Sequence, residues 1–473
     1  MGHLDLSTRA ALMVVALAAL VAPAAAQSGF VRGGKLFDAV SDELRPNPGI
    51  WFEGGKILGL GPRSDEQLEG MPIVDVPDGH TILPGLIDLH AHYAVDLFGE
   101  GRVDERVAMP LLFLSNGVTT TYTAGEVDPA EMRSLRSRID AGELVGPRIL
   151  NSGPYFGAWR RGWNAEISDE DLVKEISMWA KRGVACFKAK GITPAHLKLL
   201  VETAHRHGIG VTGHLDSGFR NSVNTADAIA MGIDRIEHFL GGPMTPPDRS
   251  AYASLIEAQP DSDAFRSIAA TFIERGTYFD VTLSAFGYVG SRESLVYEQF
   301  HDERKYFTAH MRSVLAERPA RASMDRYQRI FEAKHALVKA FHDAGGAHLI
   351  TVGTDHVSWG EFLAPFGIHR ELHALVRAGL PPASALKAAT INAARALGRG
   401  DHFGSVEVGK FADLAIVAGD PTDDITDTRN VWCVLRGGQV HDPDRLRAAA
   451  VGRIGPRDAA AESDWQPRSP SKK

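Results

Sequence analysis

The sequence predicts an α/β fold, namely a (β/α)8 TIM barrel with a small β-sandwich domain that is built from both ends of the chain. Eight short β-like segments alternate with helical patterns between residues 81 and 400, and such alternation is typical of parallel barrels. Similar Gly-rich β-like segments lie before and after this region. The 473 residues of the chain are enough for one barrel and a second, smaller domain.

Each β-like segment of the central region is a short apolar run. In chain order the segments are ILPGLIDLHAH, GVTTTYTAG, GPRILNSG, ACFKAKG, GIGVTGHL, DRIEHFL, TYFDVTLSAF and HLITVGTDH. Helical patterns such as PAHLKLLVETAHRHG lie between most of them. A further pattern, YQRIFEAKHALVKAFHDAGG, ends in two glycines, which are a strong stop signal for a helix. We therefore expect residues 81–400 to form the barrel.

The two flanking regions, residues 27–80 and 401–447, share one character. GFVRGGKLFDAV and IWFEGGKILGLGP in the first region resemble FADLAIVAGD and VWCVLRGGQVHD in the second, since all are β-rich and Gly pairs or turns break them. We expect both regions to form one small β-domain. Residues 448–473 are rich in Ala, Arg, Ser and Pro without periodicity, which predicts a mobile tail.

The first 26 residues predict a secretory signal peptide. The apolar run LMVVALAALV follows Arg9, and the small residues of APAAAQ then suggest cleavage after Ala26. The alternative is an N-terminal membrane anchor, but the run is shorter than the roughly 20 residues that a spanning helix needs. We therefore expect an exported protein, periplasmic or secreted, that has no membrane association after cleavage.

Composition narrows the classes of partner. The net charge of −8 offers no basic surface for nucleic acid, so a small-molecule substrate is the expected partner. The two cysteines, Cys186 and Cys433, could form a disulfide in an exported protein, although two buried free thiols are the favoured interpretation. A barrel with an exposed β-domain is also compatible with a homo-oligomer.

Ionisable residues recur where the predicted strands end. Active sites of barrel enzymes lie at this edge, and here the residues are His90, His92, Lys188, His214, His238 and Asp355. Taken singly, each has a structural interpretation, such as a core histidine, a helix cap or a buried lysine stem. Taken together, six such groups at one edge would be costly to bury without an organising charge. A divalent cation supplies that charge, and His90 and His92, two apart on a strand, point to the same face.

These motifs resemble the amidohydrolase superfamily, in particular its dipeptidase, prolidase and imidazolonepropionase-like branch. The resemblance is carried by LPGLIDLHAH, a lysine on the fourth strand, GHL, IEHF and GTDH, together with the ending from GIHRELHALV to ADLAIVAGDP. It implies two divalent metal ions, usually Zn²⁺. It assigns His90, His92 and Asp355 to a buried ion and His214 and His238 to an outer ion. A carboxylated Lys188 would bridge the ions, with Lys190 as the alternative lysine and a single-metal site if Lys188 is not carboxylated.

The resemblance also implies the chemistry. A metal-activated hydroxide would attack a carbonyl while Asp355 acts first as general base and then as general acid. The expected reaction is hydrolysis of the amide C–N bond of a dipeptide or an N-acyl amino acid. A cyclic amide, a lactone or an imidazolone-like substrate is the alternative for the same machinery. A non-catalytic binding protein is a third hypothesis, against which the presence of all six ligand residues argues.

The loop after the third strand carries candidate substrate-binding residues. In PYFGAWRRGWN the aromatic side chains could hold an apolar group while an arginine pairs with a carboxylate, although a surface loop packed on a helix is equally compatible. Many relatives have Gly-Gly-His near this position, and this chain has FGAWRRG. The candidates, with two tyrosines for oxyanion or carboxylate contacts, are Trp159, Arg160, Arg161, Trp163, Tyr122 and Tyr288.

Overall fold

The computed structural model describes residues 28–290, 302–318, 324–356 and 362–467. The predicted signal peptide, residues 1–26, and the last six residues of the predicted tail lie outside the described residues. The strands, in chain order, are β1 (Gly29–Phe37), β2 (Leu44–Pro46), β3 (Ile50–Glu53), β4 (Lys56–Leu60), β5 (Ile73–Pro84), β6 (Leu86–Ala91), β7 (Ala94–Val95), β8 (Val103–Asp104), β9 (Val118–Thr123), β10 (Arg148–Leu150), β11 (Tyr155–Phe156), β12 (Cys186–Lys190), β13 (Gly210–His214), β14 (Arg235–Glu237), β15 (Tyr278–Asp280), β16 (Ile350–Thr351), β17 (Leu414–Ala418), β18 (Val431–Arg436) and β19 (Gln439–His441).

Helices follow most of the central strands, as the sequence pattern predicts. Those of eight or more residues are Ala108–Ser115, Pro129–Asp140, Asp169–Lys181, Pro194–Arg206, Asp263–Arg275, Ala309–Ala316, Asp325–Asp343, Gly367–Arg377 and Pro443–Ala450. Several begin at an N-cap side chain that accepts a backbone N–H, as Ser168 and Thr193 do. The shorter helices are Asp65–Leu68, Thr225–Ala230, Ala251–Ser254, Leu283–Val289, Pro382–Ala388 and Ile391–Ala396.

Both ends of the chain contribute to one sheet, as expected. Its strand order is β19-β18-β17-β5-β1-β3-β4, and β2 pairs with β1. Strand β5 joins the two ends because it runs parallel to β1 and antiparallel to β17. The strands hydrogen bond as a single sheet, so the two-layer sandwich remains a prediction. Strand β5 also extends to Pro84, four residues beyond the expected boundary, and leads directly into β6.

The central strands are parallel and form a TIM-barrel-like α/β fold. They make up two hydrogen-bonded groups, β10-β9-β6 and β11-β12-β13-β14-β15-β16. Backbone hydrogen bonds link the groups, since Leu89 N donates to Val352 O at 3.0 Å and Ala185 N donates to Asn151 O at 2.8 Å. Because β10 and β11 lie close together in the chain and pair with β9 and β12, respectively, they correspond to one interrupted third strand.

The seventh β-like segment, TYFDVTLSAF, differs from its expected structure in its second half. Strand β15 ends at Asp280, and the helix Leu283–Val289 begins three residues later. Thr282, between them, has φ 47°, which no extended strand can accommodate. The buried carboxylate of Glu371 accepts the first free N–H groups of this helix, an interaction between distant segments that local sequence does not reveal.

The segment after Ala448 also differs from the expected mobile tail over its described part. The helix Pro443–Ala450 packs against Ala108–Ser115. Ile454 is buried, and its N–H donates to Tyr306 O at 2.9 Å. Residues 459–465 then form a 3₁₀ helix. Contacts with distant parts of the chain therefore order a segment whose own sequence lacks a periodic pattern.

The interior is apolar and continuous around the central strands. Cys186 and Cys433 are both buried and free, as favoured from the sequence. In the part of the chain that the structure describes, no helix combines the length and the apolarity that crossing a membrane requires.

An ion pair joins the terminal sheet to the third central strand. Arg148 Nη1 lies 2.5 Å from Asp413 Oδ2, and Asp413 Oδ1 accepts the N–H of Gly437 at 2.7 Å. The guanidinium also lies 4.3 Å from the ring centre of Phe411. Asp413 is buried and Arg148 is partly buried, with 18% of its side chain exposed, so removing the carboxylate would leave a poorly solvated arginine without its counter-charge.

We predict that Asp413→Ala lowers the free energy of unfolding by about 2 kcal/mol, because it leaves a partly buried arginine and the N–H of Gly437 without their shared acceptor. Urea unfolding of the purified protein measures this change. Glu143→Ala is the control, since its pair with Arg138 is exposed and should contribute less than about 1 kcal/mol. Equal effects of the two substitutions would contradict the prediction.

Candidate metal centre

The parallel strands bring their last residues to one edge. Tyr155 on β11 lies beside Lys188 on β12, and Lys190 lies beside His214 on β13. Glu237 on β14 lies beside Asp280 on β15. Because the carboxyl ends of parallel strands share an edge, ionisable residues from distant parts of the sequence meet there. Two groups of side chains at this edge could hold a metal ion: His90, His92 and Asp355, and His90, Glu237 and His238.

The first group is the trio predicted for the buried ion. Asp355 Oδ1 lies 2.8 Å from His92 Nε2 and 3.3 Å from His90 Nε2. Asp355 has φ 42°, and its N–H donates to His90 O at 3.1 Å. Asp88 also connects the end of β6 to the segment that follows β16, because its carboxylate accepts the N–H groups of His90 and Thr354. The structure therefore brings these three predicted residues together and holds their backbones in place.

The charges of this trio suit a cation. Burial lowers the pKa of His90 well below its usual value and lowers the pKa of His92. Burial alone would raise the pKa of Asp355, but the neighbouring histidines, His90 first, hold that pKa well below its usual range. At neutral pH the trio therefore has two neutral imidazoles and one carboxylate, which is a favourable ligand set for a borderline divalent ion.

The two histidines predicted for the outer ion, His214 and His238, lie side by side, and His238 also belongs to the second group. The rings of His214 and His238 have their centres 4.0 Å apart. On one side, His214 Nε2 lies 2.9 Å from the Tyr252 hydroxyl and His238 Nδ1 lies 2.7 Å from Thr282 Oγ1. On the other side, His214 Nδ1 and His238 Nε2 are buried and have no hydrogen-bond partner among the described residues.

These two nitrogens without a hydrogen-bond partner show whether the residues present fit a cation. Buried polar atoms without a partner are rare in native structures and require an explanation. Burial lowers the pKa of both His214 and His238 well below the usual value, so both rings are neutral and can offer a lone pair. A metal ligated by His214 Nδ1 and His238 Nε2 would satisfy both atoms.

Lys188, rather than Lys190, lies within the cluster. Its side chain is buried, with Nζ 3.4 Å from His90 Nε2, and it donates a close hydrogen bond to Glu237. Lys190 instead lies near the rim, where its ammonium is 4.0 Å from the ring centre of Trp159. Of the two lysines that the sequence allows as a bridge, the structure brings only Lys188 between the two groups.

Two carboxylates of the cluster were missed in the sequence analysis. Asp280 lies 3.2 Å from His90 Nδ1, and Glu237 accepts from Lys188 and from Thr212 Oγ1. Consecutive strand residues normally point to opposite faces, so Glu237 is not expected beside His238. His238 has φ 73°, which turns both side chains toward one site. In the sequence both carboxylates lie inside the β-like segments DRIEHFL and TYFDVTLSAF, so the pattern gave no signal that either ends a strand.

The predicted residues of the loop after the third strand do not gather at the metal centre. Arg160 forms two hydrogen bonds with Glu175, at 2.5 and 3.1 Å, on the outer helix Asp169–Lys181. Trp163 packs at 6.4 Å from Phe156, ring centre to ring centre. Arg161 is exposed, and Trp159, which covers the Lys190 ammonium, is 57% exposed. Trp159 contacts Lys190 at the strand edge, whereas Arg160 and Trp163 contact Phe156 at the end of β11.

The two predicted tyrosines lie elsewhere. Tyr122 is buried, its hydroxyl donates to Cys186 O at 3.0 Å, and the Arg235 guanidinium lies 4.8 Å from its ring centre. It is packed in the barrel interior near the start of β12, away from the strand edge. Tyr288 is buried next to His356 and Phe362, whose ring centres are 5.1 and 5.3 Å away. Their positions depend on packing that the sequence pattern does not encode.

Arg102, in the segment between β7 and β8, and Tyr155, on β11, are two further polar residues that interact electrostatically with groups of the centre. Tyr155 lies over Gly125, where any side chain would overlap its ring. Burial raises the pKa of Tyr155, and Arg102 is the charge that most opposes this rise. Arg102 also contributes to the lowered pKa of His92 and of Lys190, for which burial is the main cause. Among the described residues Arg102 has no hydrogen-bond or ion-pair partner.

A parallel α/β fold with histidines and carboxylates at the carboxyl ends of its strands is an architecture of hydrolytic enzymes. The model of the amidohydrolase family matches residues 81–440. The chain therefore belongs to the amidohydrolase family, as the resemblance indicates.

Known relatives are consistent with this family. The chain is 25% identical over 410 residues to the imidazolonepropionase of Geobacillus thermodenitrificans (strain NG80-2), covering 79% of this chain and 84% of that protein. It is 29% identical over 209 residues to an uncharacterized protein of Mycobacterium tuberculosis (strain ATCC 25618 / H37Rv), covering 41% of this chain. The match spans about half, 51%, of that mycobacterial relative.

Solved structures share the fold. A Xaa-Pro dipeptidase with bound methionine has a TM-score of 0.64 at 21% identity, covering 88% of this chain and 100% of that one. Molinate hydrolase has a TM-score of 0.65 at 19% identity, covering 92% and 98%. A putative prolidase from Bifidobacterium longum has a TM-score of 0.64 at 22% identity, covering 90% and 99%.

A buried acid lies after the second central strand. Glu126 Oε1 accepts from Thr123 Oγ1 at 2.6 Å and from Asn151 Nδ2 at 2.5 Å, and Oε2 has no partner among the described residues. Burial raises the pKa of Glu126 to about 8, and the charge of Asp104 adds to this rise. The folded protein therefore holds a proton on Glu126 more tightly than the unfolded chain does.

We predict that the free energy of unfolding falls as pH rises from about 4.5 to about 8, in part because Glu126 must ionise while buried. Glu126→Gln should reduce this pH dependence, so that the variant gains stability relative to the wild type as pH rises. Urea unfolding across this pH range measures the difference. The exposed Glu202→Gln serves as control, and a pH dependence that Glu126→Gln leaves unchanged would refute the prediction.

Proposed function

We propose that this protein is an exported hydrolase that uses two divalent metal ions, most simply Zn²⁺, to cleave the amide C–N bond of an N-acyl amino acid or a dipeptide. The observation that carries the proposal is the pair of unpaired nitrogens, His214 Nδ1 and His238 Nε2, beside the trio of His90, His92 and Asp355. Export rests on the N-terminal sequence. We also propose that the two parallel groups of strands close into one eight-stranded barrel around this centre.

The residues present would hold two ions in adjacent sites. His90, His92 and Asp355 would hold one ion, and His214 and His238 the other. An ammonium on Lys188, 3.4 Å from His90 Nε2, would repel a cation, whereas a carboxylated Lys188 would offer two anionic oxygens between the sites. When bound, such ions lower the pKa of a water molecule and polarise a carbonyl.

Asp355 is the residue best placed to move the proton. Its side chain is 22% exposed, against 2% for His90 and 4% for His92, so it is the member of the trio that a substrate can reach. The neighbouring histidines favour its ionised form, as a general base requires. It would take a proton from the attacking water and deliver it to the leaving nitrogen.

Two basic residues near the centre support a substrate with a carboxylate: Arg102, and Lys190, whose pKa burial lowers to about 7 and whose charged form a substrate carboxylate would favour. Lys190 lies beside His214 in the strand register, with its ammonium below the exposed ring of Trp159. Arg102, between β7 and β8, interacts electrostatically with Lys190 and Tyr155 and has no hydrogen-bond or ion-pair partner among the described residues. Because Arg160 is paired with Glu175, we assign carboxylate recognition to Arg102 and Lys190 instead.

One specific finding favours the alternative of a cyclic substrate. The similarity to an imidazolonepropionase extends over 79% of this chain, and such a substrate would use the same metals and the same Asp355. A panel that contains dipeptides, N-acyl amino acids, cyclic amides and lactones separates the two possibilities, because only one group should be hydrolysed with high kcat/KM.

We predict about two divalent ions per mature chain, which should begin at Gln27, and loss of turnover by about 10³-fold in Asp355→Asn, since a general acid–base contributes about 10²–10⁴-fold. His90→Ala should lose both metal and activity. Elemental analysis and rates of amino acid release measure these effects. His205→Ala, a surface histidine paired with Asp234, is the control. Near-normal turnover in folded Asp355→Asn or metal-free wild type would contradict the proposal.

We predict that Arg102→Ala lowers kcat/KM by about 10–100-fold for substrates with a free carboxylate, the equivalent of one charge-assisted hydrogen bond. The same substrates with the carboxylate capped as an amide should be affected little. The matched control is Arg106→Ala, four residues away, where the guanidinium pairs with the exposed Glu131. An equal loss on free and capped substrates would show that Arg102 does not recognise the carboxylate.

A further inference from the structure

Lys334, on the helix Asp325–Asp343, is a buried lysine outside the set of residues assigned above. It is 1% exposed, and its ammonium lies 3.8 Å from the ring centre of Phe286. The nitrogen donates to the backbone carbonyl and to the hydroxyl of Thr282, both at 3.4 Å. Among the described residues no carboxylate forms an ion pair with it. Lysines are almost never buried without such a partner, so this position requires a reason.

The turn into which Lys334 donates is held from two sides. Thr282 has φ 47°, a conformation that a β-branched residue adopts only where its surroundings enforce it. Glu371 accepts the N–H groups of Leu283 and Ser284, each at 2.6 Å. Burial lowers the pKa of Lys334 and raises the pKa of Glu371, while the charge of each favours the charged form of the other. The two residues therefore fix the start of this helix together.

The same turn orients both histidines of the second site. Thr282 Oγ1 lies 2.7 Å from His238 Nδ1. Phe286, one helical turn further on, stacks on Tyr252 with ring centres 5.9 Å apart. The Tyr252 hydroxyl in turn lies 2.9 Å from His214 Nε2. Both contacts engage the ring nitrogen that is remote from the centre, and they leave His238 Nε2 and His214 Nδ1 for a ligand.

We propose that Lys334 is a positioning residue that holds Thr282 and thereby presents His238 Nε2 to the second metal ion. The inference rests on the two-ion site proposed above and assigns the control of that second ion to a residue on an outer helix. Removing the hydrogen-bond partners of metal-ligating histidines typically weakens metal binding by about 10–100-fold. We therefore expect Lys334 to affect the affinity of the second ion and not that of the first.

The test compares Lys334→Met with Lys339→Met. Lys339 lies on the same helix, but its ammonium pairs with Asp343 at the surface. Metal-free protein is titrated with Zn²⁺ against a chelating dye, and with Co²⁺ to record its visible absorption. In Lys334→Met we expect the first ion to bind as in the wild type, the second to bind about 10–100-fold more weakly, and the Co²⁺ spectrum of the second site to change. Lys339→Met should match the wild type.

Variants of Thr282 keep the proposal testable if Lys334→Met does not fold. Thr282→Val removes the hydroxyl at constant shape and should weaken the second ion as Lys334→Met does, whereas Thr282→Ser should retain binding. The variant that combines Lys334→Met with Thr282→Val should bind the second ion no more weakly than Thr282→Val alone, because Lys334 acts on His238 through Thr282.

The outcomes separate the two proposals. Two ions in the wild type, with normal affinity for the second ion in folded Lys334→Met or in Thr282→Val, would overturn the role of Lys334 alone. A wild type that binds a single ion would contradict the two-ion function and would overturn the role of Lys334 with it.

Discussion

The position of the His90 imidazole is the constraint on which the rest of the site depends. Its Nδ1 faces Asp280, and its Nε2 faces Asp355 and Lys188, so one ring contacts residues from three other strand ends. Such contacts require close approach of the backbones. At Gly353 any side chain would overlap both the Asp280 carboxylate and His90, so a glycine is required between them. The contacts of His90 with Asp280, Asp355 and Lys188 thus help to fix the register of the parallel strands.

This arrangement concentrates electrostatic cost at one edge of the fold. Buried carboxylates, lysines and neutral histidines lie within a few side chains of one another, and charges buried without compensation are strongly destabilising. Backbone hydrogen bonds, as at Asp88, offset part of this cost, whereas the left-handed backbone at His238, Thr282 and Asp355 adds strain to it. Strained conformations that persist in a native structure typically cluster where ligands bind or catalysis occurs.

The edge at which the six ionisable residues lie could be predicted from the sequence, because the carboxyl ends of parallel strands meet there; their roles as metal ligands came from the family resemblance and stay a prediction. The positions of Glu237 and Asp280 could not be predicted, because a backbone turn at His238 and the early end of β15 reverse the local pattern. The substrate-binding role of the loop after the third strand stays a prediction, but the contacts of its arginine could not be predicted. Arg160 forms its hydrogen bonds with Glu175, fifteen residues further along the chain. No spacing rule in the sequence distinguishes an arginine that is paired in this way from one that is available to a substrate. The position of a side chain was predictable where a regular strand alone determines it, and it was not predictable where a backbone turn or packing against a helix determines it.

The continuity of β5 into β6 has a consequence for how this chain could be divided into separate domains. The strand that crosses the terminal sheet ends at Pro84 and, after the single residue Gly85, becomes the strand that carries His90. Gly85 also packs so closely on Thr119 that a side chain there would overlap it. The terminal sheet is therefore structurally continuous with the central strands and is not a separate domain that could be removed without affecting them. A shortened chain that begins at residue 81 would lose most of β5, and with it the strand that precedes and supports the strand carrying His90.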